Sequence, residues 1–321
     1  MTWGGSVEGM AQVVQFSTFG GSEVLEVASV SDPTPAAGQI VVAVEAVGVN
    51  PIERKLRSGI RPLSGNGPWR TGSDGAGTVT AVGEGVDGFR VGDPVAFGGA
   101  SGAYATSVAV KAEKAHLRPA GVTAAQGAAL GIPAGTAYQA IRSLGIREDD
   151  TLLIHGGSGS VGQAAIQFAV LTGARVIATT SDARAERVGD LGAEPVRYGD
   201  GVTGRVLEIA PEGVTAILDC AGADGVLEAS LELLEDKGRI ATIVLGAKAD
   251  EMGLRAFSGG SATPLTPQQL TWRAEALPMA LALIATEYFD VELGPTFPLD
   301  QAGAAQDANE NGAAGKVIIV P

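Results

Sequence analysis

The feature that most constrains this chain is a strand that runs straight into a glycine-rich turn and leaves it as a helix. Residues 151–169 read TLLIHGGSGSVGQAAIQFA. Leu152, Leu153 and Ile154 are apolar enough for a buried strand, and Gly157, Gly159 and Gly162 follow in G-x-G-x-x-G order. That spelling arises by accident in a chain with 47 glycines, and its place between a strand and a helix is what gives it weight. The first glycine is expected to permit the tight turn and the second to let backbone approach a pyrophosphate. The third lets the helix lie close to the sheet. Backbone N–H groups of Ser160, Val161 and Gly162 would then face phosphates at the positive end of the helix dipole, with Ser158 in the same turn. A dinucleotide site is expected here. The plain alternative is a structural strand–turn–helix junction.

The chain on either side changes character. From Met10 to about residue 110, short apolar or alternating runs (Ile40–Val44, Gly77–Val82, Tyr104–Val110) are broken by glycine, proline and aspartate, which predicts β structure. A helical pattern covers Thr123–Leu144. Strand and helix signals then alternate: strands at Leu152–His155, Arg175–Thr180, Pro195–Tyr198, Ala216–Cys220 and Arg239–Leu245, helices at Val161–Thr172, Ala183–Leu191, Thr203–Ala210 and Gly225–Leu234. This alternation implies an α/β, doubly wound parallel sheet with ligand at the carboxyl ends of its strands. A polar stretch near Gly259–Thr266, a long helix (Pro267–Ala285) and two more strand signals follow, the last at Lys316–Val320. That closing strand belongs with the β region. The expected plan is a discontinuous β domain (10–125 and 290–321) around a nucleotide domain (126–289), with residues 1–9 as an amino-terminal extension.

At 321 residues the chain can hold two cores. A formal net charge of −14 disfavours nucleic acid and anionic membrane as partners, because no basic surface offsets phosphate repulsion. A single cysteine, Cys220, excludes a disulfide framework and suggests a reducing cytoplasm. No apolar run reaches membrane-spanning length, and residues 1–9 lack the pattern of a signal peptide.

Four further stretches, with the glycine turn, make a resemblance specific. They are VGVNPIERKLRSG (47–59), GSDGAGTVTAVGEGVDGFRVGDPV (72–95), GAALGIPAGTAYQAI (127–141) and the closing NGAAGKVIIVP (311–321). In this order and spacing, from Met10 onward, the chain resembles the zinc-free medium-chain dehydrogenase/reductases of the quinone oxidoreductase (zeta-crystallin-like) branch. The resemblance implies a GroES-like β domain with a Rossmann domain, and a homodimer.

Zinc enzymes of that superfamily polarise a carbonyl with Cys, His and Cys or acidic ligands converging from separate segments. The soft donors here are Cys220, His116 and His155. Asn50 and Pro51 replace the zinc-type cysteine neighbourhood, and Gly72-Ser73-Asp74 stands where zinc enzymes carry Gly-His-Glu. No metal is expected. Without a Lewis acid, the developing alkoxide of a simple ketone is poorly stabilised, so acceptors that spread charge themselves fit better: quinones, or enones attacked at the β-carbon. Positioning alone can supply about 7–11 kcal/mol of the barrier.

For the cofactor, the second strand ends in Thr180-Ser181-Asp182-Ala183-Arg184, hydroxylic where NAD sites are acidic. Arg184 matches the family's basic 2′-phosphate position, Ser181 would add a hydrogen bond, and Tyr198 matches an aromatic near the adenosine phosphate. Asp182 would repel a 2′-phosphate if it pointed inward. NADPH is preferred over NADH. Asn311 stands near the family's second basic contact, which is not evident, and Lys316 is left open as its substitute. The resemblance also puts Asn50, Pro51, Ile52 and Thr136 near the nicotinamide, with backbone from Gly222 and from Val244, Leu245 and Gly246. Thr136 would bond the carboxamide or serve helix packing, and Asn50 would bond ribose or acceptor oxygen or simply form a turn. Glu53 stands where an aspartate is usual.

Lys55 and Arg61 occupy places where several quinone reductases carry tyrosines, so with Asn50 they are the candidate catalytic residues, or else solvated loop charges. No tyrosine offers itself as a proton donor in this segment, which lowers the enoyl reading. The expected activity is zinc-independent, NADPH-dependent hydride transfer to quinones or related α,β-unsaturated carbonyls. The alternatives are a 2-alkenal or enoyl-thioester reductase and a non-catalytic NADPH-binding structural or regulatory protein.

Overall fold

The computed structural model describes residues 9–257, 261 and 263–321. Residues 1–8 of the expected extension, and part of the polar stretch at 259–266, lie outside them. The first strands are β1 (Met10–Phe16), β2 (Glu26–Ser31) and β3 (Gln39–Gly48), followed by helix α1 (Pro51–Arg57). Then come β4 (Trp69–Arg70), β5 (Asp74–Val82), β6 (Pro94–Phe97), β7 (Ser107–Lys111) and β8 (Ala115–Leu117), with α2 (Ala124–Ala128) and α3 (Gly131–Leu144).

The expected single helical stretch at 123–144 is thus two helices. Thr123 caps α2 through its side chain, Ala129 ends it, and Pro133 lies in the first turn of α3, where a missing N–H costs nothing.

The alternating region gives β9 (Thr151–His155), α4 (Ser160–Leu171), β10 (Arg175–Thr180), α5 (Ala185–Asp190), β11 (Glu194–Arg197), α6 (Val202–Ile209), β12 (Ala216–Asp219) and α7 (Val226–Leu233). It closes with β13 (Ile240–Thr242), α8 (Gly246–Met252) and β14 (Arg255–Ala256). The expected strand Arg239–Leu245 therefore stops at Thr242. Its hydroxyl accepts the N–H groups of Val244 (3.0 Å) and Leu245 (3.1 Å), which turns the chain into a helix the sequence reading did not anticipate. Helix α9 (Pro267–Ala285), β15 (Leu293–Pro298), α10 (Ala302–Glu310) and β16 (Lys316–Val320) complete the chain.

Two compact units result. One runs to Ile132 and resumes at Leu277–Pro321; the other is Pro133–Ala276. The divisions fall inside α3 and α9 rather than at 125/126 and 289/290. In the first unit, a sheet of order β15-β16-β3-β5-β6-β8 has β7 paired to β3, beside a small sheet β2-β1-β4. Closing strand β16 pairs antiparallel with β3, Ile318 opposite Gly48. Its core holds Ile40, Val42, Val47, Val95, Phe97, Tyr104, Val317 and Ile319. The second unit is a six-stranded parallel sheet of order β11-β10-β9-β12-β13-β14. Leu153, Ile177, Ile217 and Ile240 fill its centre, fully buried as expected for parallel strands covered on both faces. The chain is thus α/β, a GroES-like β unit and a doubly wound parallel unit.

Candidate active site

In the nucleotide unit, β9 delivers its carboxyl end to the glycine turn. The reversal is made by Gly156, whose φ of +79° suits glycine, and not by Gly157 as expected. Gly157 serves packing instead: a Cβ there would meet the Ala178 methyl at 2.7 Å. Gly162 lets α4 approach, since a Cβ would lie 2.1 Å from the Gly156 carbonyl oxygen. Gly159 is exposed and open, with only the Gly156 oxygen at 3.6 Å from an added Cβ. The turn is tied to β10 by Gly156 N–H to Thr179 Oγ1 (3.1 Å) and Gly157 N–H to the Thr179 carbonyl (2.9 Å). Ser158 accepts from Gln163 Nε2 at 2.9 Å. No side chain caps α4, so the first-turn N–H groups of Ser160, Val161 and Gly162 keep their donor capacity for an anion.

The neighbouring strand ends are braced by buried polar side chains. Asp219, at the end of β12, accepts the N–H groups of Ala221 and Gly222 (both 2.9 Å) and the Thr242 hydroxyl (2.7 Å). One carboxylate therefore shapes the Gly222 turn and, through Thr242, the Val244–Gly246 turn. Beside it His155 is buried; burial pushes its imidazole down to about 4 against the opposing pull of Asp219, so the ring is neutral. Ser181 opens the short turn Asp182–Arg184 and is half-buried, as is Arg184, while Tyr198 is exposed. Asp182, suspected of repelling phosphate, is paired with Arg197 at 3.5 Å. Arg205 holds the loop carrying Tyr198, donating to the carbonyls of Arg197, Tyr198, Gly199 and Asp200 at 2.8–3.3 Å. Thr136 is buried on α3.

In the β unit, the segment expected to face the nicotinamide forms α1, with Pro51 exposed and Ile52 half-buried. Asn50 sits at its amino end in a capping box with Glu53. The Asn50 side chain points inward: Nδ2 donates to Asp74 Oδ2 (2.9 Å), the Gly48 carbonyl (3.2 Å) and Glu53 Oε1 (3.3 Å), and Oδ1 accepts from Lys316 Nζ. The amide is oriented by charge, oxygen toward an ammonium and nitrogen toward two carboxylates.

Lys316 is therefore buried in the β unit against Asn50, away from the phosphate role left open for it. Gly48 makes room for its stem, since a Cβ would come within 2.9 Å of Lys316 Cε. Glu53 also accepts from the Asn50 backbone N–H, Ser73 Oγ (3.0 Å) and Tyr104 Oη (3.4 Å). Asp74 Oδ2 accepts the Ile132 N–H at 2.7 Å, which fixes the start of α3.

Burial pushes Glu53 up to about 7, countered by Lys316 and assisted by Asp74. Burial raises Asp74 and lowers Lys316 as well. Lys55 and Arg61 are half-buried neighbours, joined by the Arg61 N–H to the Lys55 carbonyl (2.9 Å). Partial burial lowers the Lys55 amine, and the charges of Arg61 and Arg54 add to this. The structure thus groups Asn50 with Glu53, Asp74 and Lys316, and groups Lys55 with Arg61.

Comparison with known proteins agrees with this architecture. Residues 36–139 match the alcohol dehydrogenase GroES-like domain, and residues 160–276 match the zinc-binding dehydrogenase domain. The chain is 31% identical to quinone oxidoreductase of Sus scrofa over 97% of its own length and 98% of the relative's. The structure of Escherichia coli quinone oxidoreductase complexed with NADPH superposes with a TM-score of 0.83 at 29% identity, covering 97% of this chain and all of that one (100%). A mycobacterial protein complexed with NADPH gives 0.82 at 30% identity, covering 97% and 100%. The chain belongs to the quinone oxidoreductase family of medium-chain dehydrogenase/reductases.

The name of the second domain raises the question of zinc. Among the described residues no group of three or more His, Cys, Asp or Glu side chains is arranged to hold a metal ion. Of the soft donors, His155 and Cys220 end or follow strands of the nucleotide unit, and His116 lies on β8, its imidazole lowered by partial burial. In this member of the family the carboxylates of Glu53 and Asp74 are faced by an ammonium, so a divalent cation does not fit that cluster.

Proposed function

We propose that this protein is a zinc-independent, NADPH-dependent oxidoreductase that reduces quinones or related α,β-unsaturated carbonyls. One observation carries the cofactor assignment: an uncapped α4 amino terminus beneath a turn whose only open glycine is Gly159. Such a cradle suits a pyrophosphate. Gly157, Ser158, Gly159 and the N–H groups of Ser160, Val161 and Gly162 would hold it. Ser181, Arg184 and Tyr198 would meet the 2′-phosphate and adenosine. The turns at Gly222 and Val244–Gly246, with Thr136, would take the nicotinamide side. When bound, NADPH supplies the hydride.

The zinc-independent part is supported by the Lys316 ammonium among the acidic groups and by the scattered soft donors. Lys55 and Arg61 are assigned to the acceptor side, where two adjacent cations attract an electron-rich carbonyl. Asn50 orders the start of α1 rather than reaching outward, because its amide is fully engaged within the unit. Cytoplasmic residence and a homodimer belong to the same reading, the dimer being checked by sedimentation velocity. Among the described residues no helix is long and apolar enough to cross a membrane.

Steady-state NADPH oxidation against 1,4-benzoquinone, 2-hexenal and an enoyl thioester, with and without chelator, tests the assignment. Turnover with the quinone that survives chelation is expected. Activity confined to the thioester would replace the quinone reading with an enoyl reductase. Tight NADPH binding without turnover on any acceptor would favour a non-catalytic role.

A further inference from the structure

Beyond β11 the chain enters a loop that one side chain organises. Thr180 and Arg197 stand opposite each other where β10 and β11 end, so Tyr198 begins this connection at the carboxyl edge of the parallel sheet. Gly199 and Gly201 take φ values of +89° and +74°, and α6 starts only at Val202. A segment that depends on glycine in this way is costly to order. Arg205, half-buried on α6, offsets that cost. Its Nε donates to the Arg197 carbonyl at 3.0 Å, Nη1 to that of Asp200 at 2.8 Å, and Nη2 to those of Arg197, Tyr198 and Gly199 at 2.8, 3.3 and 3.1 Å. Consecutive carbonyls of the loop therefore converge on one guanidinium. The Tyr198 N–H donates to the Thr180 carbonyl at 3.2 Å, so both polar groups of its backbone are fixed. Its side chain is left on the surface, the residue being 61% exposed.

We propose that Arg205 is a positioning residue for the adenosine half of the dinucleotide, acting through the backbone of residues 197–200 to hold Tyr198 in place before the ligand arrives. This rests on the NADPH reading above and deepens it. Ligands of a doubly wound sheet lie at the carboxyl ends of its strands, where β9 leads into the glycine turn, β10 into Ser181 and β11 into Tyr198. An aromatic ring held there gives the adenosine a face to rest on, and the contact is strongest when the ring needs no ordering on binding. A guanidinium suits the task because it is planar, always charged and carries its hydrogens in a rigid fork. Lysine keeps the charge but is a point donor on a flexible stem, and it cannot span a run of carbonyls. With its nitrogens turned to the loop, Arg205 contributes geometry rather than a ligand contact.

The test uses the full-length protein as wild type, Arg205→Lys, Tyr198→Ala and the double variant. Each is titrated calorimetrically with NADPH and with 2′,5′-ADP, which carries the adenosine and no nicotinamide. Arg205→Lys should weaken both ligands by the same factor, about 10-fold. Tyr198→Ala should weaken them by about 10-fold or more, and adding Arg205→Lys to it should bring no further loss, because the ring that the fork positions is then gone. Turnover should show a matching split, the KM for NADPH rising in Arg205→Lys with kcat unchanged. Without any ligand, chymotrypsin should cut after Tyr198 about 5-fold faster in Arg205→Lys than in wild type, the fragments being identified by mass. Added 2′,5′-ADP should slow that cut in both proteins.

Wild-type affinity in Arg205→Lys would overturn the proposal. So would a further loss of about 10-fold when Arg205→Lys is added to Tyr198→Ala, since the cation would then act on the ligand without the ring. Unchanged cutting after Tyr198 would mean that the loop holds its shape without the fork, and would overturn it too. A wild-type protein that binds neither NADPH nor 2′,5′-ADP strikes instead at the dinucleotide reading on which this role rests.

Discussion

The glycine turn of the nucleotide unit and the charge cluster of the β unit are both polar devices set into apolar sheets, and they are built on opposite principles. The turn is made of backbone and works through what is missing: side chains at Gly157 and Gly162, and a cap on α4. The cluster is made of side chains brought together from α1, β5 and β16, and it works through charges that answer one another. Burial governs titration in both, leaving His155 neutral in one unit and driving Glu53 toward its protonated form in the other. The consequence is that the turn is vulnerable to volume and the cluster to charge.

The largest effect should come from Lys316→Met, which removes the cation facing two buried carboxylates and keeps the volume. Breaking a buried pair in this way typically costs about 3–5 kcal/mol. The cost should depend on pH, and its sign follows from Glu53. The folded-state carboxyl is raised from 4.5 to about 7, so its stabilising contribution is present below about 4.5 and is lost as pH rises through about 7. Without Lys316 the carboxylates lose the attraction that favours ionisation, and Asp74, already raised by burial, moves the same way. Denaturant unfolding should therefore show the variant furthest below wild type near pH 8 and closest near pH 5. An equal deficit at both pH values would mean that packing, not charge, holds the cluster.

Two alanine substitutions one turn apart test the other side of the contrast. Gly162→Ala forces a methyl to 2.1 Å from the Gly156 carbonyl oxygen, a backbone atom that cannot swing aside. Overpacking of this kind should cost about 1–3 kcal/mol and abolish NADPH binding with it. Gly159→Ala meets nothing closer than 3.6 Å, so the unfolding midpoint should hold within about 0.5 kcal/mol. Its methyl points where a pyrophosphate would pass, and calorimetry should show weakened NADPH affinity. Undiminished affinity in Gly159→Ala would place the phosphates elsewhere.

The same contrast explains what the sequence disclosed. A backbone device is local, so strand, glycine spacing and helix are written within about twenty residues, and the α/β plan with its discontinuous β unit could be read from the alternation of signals. Even there, Gly156 rather than Gly157 makes the turn, because the motif records where glycine stands and not which φ each takes. The cluster joins residues 266 positions apart through the pairing of β16 with β3, and no spacing along the chain encodes that pairing. Lys316 accordingly read as an open substitute for a second phosphate contact and Glu53 as a departure from an aspartate. Helix α8 was hidden for a related reason. Its start is set by the hydroxyl of Thr242, which Asp219 in turn orients from another strand. The split of 123–144 into α2 and α3 was locally legible in Pro133, and apolar periodicity outweighed it.

The smallest effect concerns a pair that belongs to neither principle wholly. Asp182 and Arg197 lie at the ends of the adjacent strands β10 and β11, both mostly exposed, with side-chain exposures of 76% and 70%. Such a pair contributes about 0–1 kcal/mol, so Arg197→Ala should leave the unfolding midpoint nearly unchanged. Its effect on cofactor choice should be larger than its effect on stability, because removing Arg197 exposes the Asp182 carboxylate beside the position assigned to the 2′-phosphate. The ratio of kcat/KM for NADPH to that for NADH should fall about 3- to 10-fold, the change being weaker at 0.5 M salt, where the Debye length is under about 5 Å. Adding Asp182→Ala should restore most of the ratio, since the repelling charge is then gone as well. If Arg197→Ala left the ratio intact, discrimination would rest on Ser181 and Arg184 alone. This corner of the nucleotide unit would then behave like the turn, with contacts set by geometry rather than by balanced charge.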